Sequence, residues 1–450
     1  MAGLKRNIDT SVFHRAPKTK LRTAVKGDGP YILDDAGNRY IDASGGAAVS
    51  CLGHSHPAPI RAIQEQATTL AFAHTGFFTS NALENLASLL TSEAPGNLTR
   101  AYFTSGGSES VETALKLARQ YCVETGQAQR SRIIARRQSY HGNTLGALSA
   151  GGNLWRRTAY EPLLIGVTHV APCYPYRDRG ANETEADYGL RIADELEAEI
   201  LRLGPETVMC FIAETVAGAT LGCVPPVPGY LKRIRDICDK YGVLLILDEV
   251  MCGMGRTGTL FAYEQEGIAP DLVTIAKGLG AGYQPVGAVL ASERIYEAIV
   301  EGSGFFQHGH TYTGHVTACA AALAVQEAIR DENLLDNVKR AGSWLADGLK
   351  LTFGAHPNVG DIRGRGLFWA LEFVADRATK APFDPDKKVA ARLKAAALDH
   401  GLICYPMGGI IDGRHGDHVM LAPPFIVDDN HIAEIIGKLE ATIKEVLART

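Results

Sequence analysis

The chain lacks the features that would take it out of the ordinary globular class. Nowhere do eighteen apolar residues follow one another, so no segment has the length of a helical membrane span. The first residues, MAGLKRNIDTSVFHRAPKTK, are basic but carry no apolar core of a secretory leader, and the cytoplasm is the expected compartment. Positive charge is not in excess: 45 Lys and Arg stand against 50 Asp and Glu, a net charge of −5. That balance gives neither nucleic acid nor an anionic membrane a reason to bind. The nine cysteines contain no C-x-x-C spacing, and their odd number argues against a complete disulfide framework. Internal repeats and low-complexity segments are absent. What remains is 450 residues, 46% hydrophobic and 21% charged, a length that calls for one large lobe and one smaller one.

The chemistry is concentrated between Leu244 and Pro285. Leu244-Leu245-Ile246-Leu247 is wholly apolar and closes on two carboxylates, Asp248 and Glu249. So short a run without alternation predicts a strand buried on both faces, as in a parallel sheet. Leu272-Val273-Thr274-Ile275-Ala276 is a second such run and closes on Lys277. Open α/β sheets gather chemistry at the carboxyl ends of their strands, so this acid and this amine fall into one cleft. Burial disfavours an ammonium, and the free amine it leaves is a Schiff-base nucleophile.

Between the two strands, Gly253-Met254-Gly255-Arg256-Thr257-Gly258 matches the dinucleotide fingerprint G-x-G-x-x-G. That fingerprint opens a helix directly after the first strand of a βαβ unit. Here Asp248 to Cys252 intervene, the motif lies past mid-chain, and Thr259 to Tyr263 gives no clear helix start. A nicotinamide-dependent oxidoreductase is therefore set behind a Schiff-base enzyme, and an intact Lys277 disfavours a cofactor-free binding protein.

Upstream, Ala101 to Thr104 reads as a strand that runs through Ser105-Gly106-Gly107 into a helix with Val111, Ala114, Leu115, Ala118 and Cys122 on one face. Glycines at a helix start expose unpaired N–H groups at the positive end of a dipole, which suits a phosphate; an ordinary tight turn is the plainer alternative. Ile133-Ile134-Ala135 leads to Tyr140-His141-Gly142, and Val208 to Ala213 closes on Glu214. The repeated alternation of apolar run and amphipathic helix between about residues 100 and 290 predicts a mostly parallel α/β sheet. Two histidine groups invite a metal reading, His54 and His56, then His308, His310 and His315. No acid accompanies either group, and no metal is expected.

Asp248-Glu249-Val250, the glycine turn Gly253 to Gly258 and Ala276-Lys277-Gly278 stand in an order that resembles the pyridoxal-phosphate enzymes of fold type I, specifically the class III aminotransferases. The resemblance covers essentially the whole chain. It implies an α/β fold: a large domain with a mostly parallel sheet over residues 61–325, and an α+β small domain drawn from both chain ends, 1–60 and 326–450. It implies pyridoxal 5'-phosphate as cofactor, with Lys277 as its Schiff-base lysine and proton shuttle and Asp248 keeping its pyridine nitrogen protonated. Gly106, Gly107 and Ser108 would cup the phosphate, Tyr140 would stack on the ring beside His141, and Glu214 would stand near its phenolic side, with Val250 a further cofactor contact. Thr311 would reach the phosphate in the partner subunit, which implies a homodimer with shared active sites. The reaction implied is a ping-pong transfer of an amino group from an ω-amino acid or amine to pyruvate or another 2-oxo acid. Aminomutases, epimerases, lyases and decarboxylases stand as alternatives on the same scaffold, because fold and cofactor do not fix the reaction.

The chain departs from the family on the substrate side. Where many amine:pyruvate transaminases carry a carboxylate-clamping arginine before a proline, Tyr405 precedes Pro406. Arg414, in an insertion from Gly409 to His415, is the candidate replacement cation, with a solvated loop charge as the equal alternative. Ala48 stands where some relatives place a tryptophan, which widens the expected pocket, and Phe13 is a candidate pocket wall.

Overall fold

The computed structural model describes residues 10–448. Its large sheet has seven strands in the spatial order Leu98–Thr104, Gly287–Ser292, Leu272–Ile275, Leu244–Asp248, Val208–Glu214, Arg132–Arg136, Val167–Val170. Gly287–Ser292 runs against both of its neighbours, and the other pairings are parallel. The three central runs, Val208–Glu214, Leu244–Asp248 and Leu272–Ile275, are buried at every position, as unalternating apolar strands require.

Because side chains alternate across a strand, each central run feeds two cores. Phe211, Leu245, Leu247, Val273 and Ile275 meet the helices Glu185–Leu203 and Tyr230–Tyr241 through Tyr188, Leu196, Leu231 and Ile237. Cys210, Ile212, Leu244, Ile246 and Leu272 meet the helix Gly107–Glu124 through Val111, Ala114, Leu115 and Ala118. The sheet is thereby sandwiched, and its carboxyl edge is the open side.

Two smaller sheets complete the molecule. Tyr31–Asp34 and Arg39–Asp42 pair as an antiparallel hairpin. Its outer strand pairs in parallel with Leu402–Ile403, Leu402 opposite Ile41, so the two ends of the chain share one sheet. An antiparallel sheet of Val359–Arg365, Phe368–Phe373, Asp417–Leu421 and Tyr405–Gly408 lies in the same part of the chain. The helices Leu334–Phe353, Val389–Asp399 and Asp429–Leu447 share a core with residues of both sheets.

Ahead of the helix Val389–Asp399, Asp384 caps a 3₁₀ turn at Pro385–Lys387 and Lys388 takes φ 50°. The glycine motif Gly253 to Gly258 opens no helix. Its glycines serve close packing, since a Cβ at Gly255 would stand 2.8 Å from both Leu335 and Phe425. Its Arg256 is buried and donates to the Leu367 carbonyl at 3.1 Å, bridging the large sheet's loops to the antiparallel sheet. The isolated histidines have structural partners. His56 caps the helix Pro57–Thr69 by accepting from the Ala58 N–H, and His54 lies 3.0 Å from Asp42.

Candidate active site

A cavity of about 450 Å³ opens at the carboxyl ends of the three central strands. Strand register builds its floor. Glu214 and Asp248 are paired residues at two neighbouring strand ends, and Thr274 faces Asp248 from the third. Asp248 is buried; its Oδ1 accepts the Val250 N–H at 3.0 Å and the Thr274 hydroxyl at 3.2 Å, and its Oδ2 lies 2.8 Å from His141 Nδ1. The far ring nitrogen of His141, Nε2, is buried without a hydrogen-bond partner among the described residues. Glu214 accepts the Tyr140 N–H at 3.2 Å and the Gly218 N–H at 2.8 Å. Burial, reinforced by the charge of Asp248, pushes the Glu214 carboxyl above its ordinary value.

Lys277 follows the strand Leu272–Ile275 and enters the cavity wall in an unusual backbone state, φ 46°. A non-glycine residue there costs about 1–3 kcal/mol and persists only where its surroundings impose it. The neighbouring Gly278 leaves room for little else, since a Cβ on it would press on Cys51 and Met254 at 3.0 Å. Burial lowers the Lys277 ammonium from 10.5 to about 8, against the pull of Asp248 and Glu214. The result is an amine that exchanges its proton close to neutral pH.

Another part of the wall is the strand–glycine–helix junction. The helix Gly107–Glu124 begins with no side chain capping its first N–H groups, so they remain for an anion. A Cβ on Gly106 would meet nothing within 4 Å, which leaves open space beside these groups. Gly107 is required for another reason: its Cβ would stand 2.7 Å from Val250 Cγ1. Ser108 Oγ accepts the Asn143 N–H at 3.0 Å, tying the helix start to the loop that carries Tyr140 and His141.

Of the residues singled out in the sequence, Lys277, Asp248, Gly106, Gly107, Ser108, Tyr140, His141, Glu214, Val250 and Tyr405 all line this one cavity. Four do not. Arg414 is exposed on its insertion, because Asp412 accepts the N–H groups of Arg414 and His415 and closes the loop into a turn of its own. Phe13 is 98% exposed, without a place in the wall. Ala48 is 2% exposed and packs among Val216, Met251 and Phe368, while its neighbours Ala47 and Val49 face the cavity. The turn from Gly45 to Ala48 is left-handed, with φ between 55° and 69°, and this rotates Ala48 inward. Thr311 lies exposed in a turn outside this chain's cavity.

Sequence reasoning missed Arg156, which lines the cavity with its guanidinium 4.6 Å from the centre of the Tyr140 ring. The available signal was Asn153, an N-cap that predicts the helical turn Leu154–Arg157 but not the direction its side chains take. Arg15, on the irregular amino-terminal segment, also reaches the cavity.

Comparison with known proteins agrees with this geometry. The model of the family described as aminotransferase class-III matches residues 13–443. An uncharacterized aminotransferase of Schizosaccharomyces pombe is 48% identical over 438 residues, covering 97% of this chain and 95% of its own. Among solved structures, an (S)-enantioselective omega-transaminase from Thermomicrobium roseum superposes with a TM-score of 0.91 at 37% identity, over 99% of this chain and 97% of that one. The omega transaminase of Pseudomonas jessenii in complex with PMP gives 0.91 at 33% identity, over 96% and 94%. Strand-end lysine, paired acids and uncapped helix start thus stand in a chain that belongs to the class III aminotransferases, enzymes of fold type I that use pyridoxal phosphate.

Proposed function

We propose that this aminotransferase takes its amino group from an ω-amino acid or a simple amine and passes it to pyruvate or another 2-oxo acid in two alternating half-reactions. The observation that carries the reading is Lys277, an amine with a proton affinity near neutral, set beside two buried carboxylates in one cavity. The residues present fit pyridoxal phosphate. The first turn of the helix Gly107–Glu124 offers uncapped N–H groups beside open space, and Asp248 offers a carboxylate fixed by three contacts.

When bound, the cofactor supplies an electron sink that acidifies the carbon bearing the amino group. The chain supplies the rest. Lys277 would hold the group through Nζ, and its amine would carry the proton. Asp248 would meet the ring nitrogen, its carboxylate held in place by His141 and Thr274. Tyr140, Val250 and Glu214, which line the same cavity, would confine the ring. Gly106, Gly107 and Ser108 would receive the phosphate. The names of the omega-transaminase neighbours support the choice of donor class.

We further propose a homodimer. Thr311 is exposed beside exposed aromatic residues, with Phe72 against Tyr312 and His315, and Phe77, Phe78 and Phe305 uncovered nearby in the chain. A second copy would cover these side chains and bring Thr311 to the neighbouring cofactor. All nine cysteines are free and buried, which supports the cytoplasm as compartment. No described helix is long and apolar enough to cross a membrane. The division into residues 1–60, 61–325 and 326–450 is proposed on the sheet shared by Ile41 and Leu402 and on the separate core it joins.

The test is a half-reaction. The purified yellow protein mixed with 1-phenylethylamine should lose its colour and release acetophenone, and pyruvate should restore the colour and yield alanine in equal amount. Bleaching that pyruvate and 2-oxoglutarate both fail to reverse, or release of carbon dioxide from an amino-acid donor, would replace the reading with a different pyridoxal reaction.

A further inference from the structure

Two adjacent arginines on the turn Leu154–Arg157 are used in opposite ways. Arg157 turns back into its own segment and donates to the carbonyls of Leu148, Ser149 and Gly151, the last at 2.7 Å. Arg156 lines the cavity instead, and among the described residues its guanidinium has neither an ion pair nor a hydrogen bond. Its Nε is buried without a partner. A guanidinium carries five donors, and this one, half-buried in the cavity wall, leaves its free donors to an anion that enters.

The fold nevertheless holds it in place. Asn153 Oδ1 accepts the Arg156 N–H at 3.3 Å, and Asn153 Nδ2 donates to Gln138 Oε1 at 2.9 Å, fixing the turn to the loop before Tyr140. The guanidinium then rests on the Tyr140 ring, 4.6 Å from its centre, with Trp155 at 5.7 Å. Stacking of this kind orients the plane while leaving its edge free. The charge is also felt at Lys277, where it opposes protonation of the amine. Arg156 is therefore electrostatically coupled to the reacting centre, on the side of Tyr140. The other cation of the wall besides Lys277 is Arg15, which is exposed on a segment without regular structure. Tyr405, at the position where the family pattern calls for an arginine, also lines the cavity and brings no positive charge.

We propose that Arg156 is the carboxylate-binding residue of this active site, receiving the carboxylate of the 2-oxo acid acceptor and of the amino acid formed from it. The anion-binding function stands on the helical turn Leu154–Arg157 rather than on the strand that carries Tyr405. The inference rests on the aminotransferase reading above. An amine without a carboxylate makes no use of this contact, so acceptor and donor recognition are separable in this enzyme.

The test compares holoenzyme variants Arg156→Lys and Arg156→Gln with the wild type, each checked for bound cofactor by its absorbance. KM for pyruvate should rise by about 10- to 100-fold in Arg156→Gln, the range of a charged hydrogen-bonded pair. Arg156→Lys should recover part of the loss, because a point charge cannot reproduce the planar fork. The rate of bleaching by 1-phenylethylamine should change far less than KM for pyruvate, since that amine offers the guanidinium no acceptor and only the charge felt at Lys277 is altered. A second readout needs no turnover: propionate titrated into the holoenzyme and followed by its absorbance change should bind the wild type and be weakened in parallel with pyruvate. Equal changes for pyruvate and the amine, or propionate affinity unchanged in Arg156→Gln, would overturn the proposal. Failure of the wild type to transaminate would instead count against the reaction assigned above, while the propionate titration would still report on Arg156.

Discussion

Glu214 and Asp248 are register partners at the ends of neighbouring parallel strands, so the sheet itself places two carboxylates side by side on the cavity floor. Their surroundings differ. Asp248 is held by His141, Thr274 and the Val250 N–H, whereas Glu214 receives two backbone N–H groups and is pushed toward its neutral form by burial beside Asp248. Adjacent acids in unlike environments take unlike roles. On the proposed reading the electrostatic role would fall to Asp248, with Glu214 as its confined neighbour.

Replacing Asp248 with Asn keeps the shape and removes the charge. Loss of a preorganised electrostatic contact costs about 3–4 kcal/mol. Single-turnover rates with a saturating donor should fall by about 100- to 1,000-fold, while cofactor remains bound through the helix start. A variant within about tenfold of wild type, roughly 1.4 kcal/mol, would remove Asp248 from the mechanism.

The amine of Lys277 should show its lowered pKa directly. Covalent uptake of pyridoxal phosphate by cofactor-free protein needs the neutral amine, so its rate should rise with pH and level off above about 8. Folding is linked to the same proton. Between about 8 and 10.5 the unfolded chain keeps a proton on this lysine that the folded chain has released, so the Lys277 contribution to stability rises with pH across that window. Below about 8 the cost is at its greatest, and Lys277→Met should raise the Tm of the cofactor-free protein at pH 7. An uptake rate still climbing at pH 10, with no Tm gain, would contradict this.

Gly107 and Val250 are in contact by necessity, because a Cβ on the glycine would come 2.7 Å from Val250 Cγ1. Gly107→Ala should weaken cofactor binding as overpacking displaces the helix start, at a cost of about 1–3 kcal/mol. Val250→Ala in the same chain should restore much of the affinity. Dialysis followed by absorbance titration measures both, and a double variant no better than Gly107→Ala would count against the steric explanation.

Arg414 makes a contrasting case. It stands exposed on the turn that Asp412 closes, away from the cavity of its own chain. Arg414→Ala should leave KM for pyruvate and for amine donors within about twofold of wild type, as exposed substitutions do. A large, pyruvate-specific rise in steady-state KM would return the carboxylate to this loop.

The legible part of this molecule is the part set by local pattern. Unalternating apolar runs ending in Asp248, Glu214 and Lys277 announced buried parallel strands, and strand ends in such sheets converge, so the acids and the amine were found together from sequence. The helix start at Gly107 was legible because glycines and a 3.6-residue apolar period leave few alternatives. The substrate side was not. Arg414 and Arg156 look alike in a string of letters, and their fates are decided by Asp412, which folds one loop onto itself, and by Asn153 and Tyr140, which hold the other side chain against the cavity. Ala48 was misplaced by one residue for a similar reason, since the left-handed turn that rotates it inward has no signature beyond Gly45-Gly46.

The central claim is that Lys277 carries the cofactor and the proton. Borohydride reduction of the yellow holoenzyme, proteolysis and mass spectrometry of the peptides test it most directly. The account predicts one pyridoxyl-modified peptide per chain, modified at Lys277, and in Lys277→Ala no modified peptide and no amine-driven bleaching. A modified peptide at another lysine in the wild type, or turnover that survives Lys277→Ala, would contradict it.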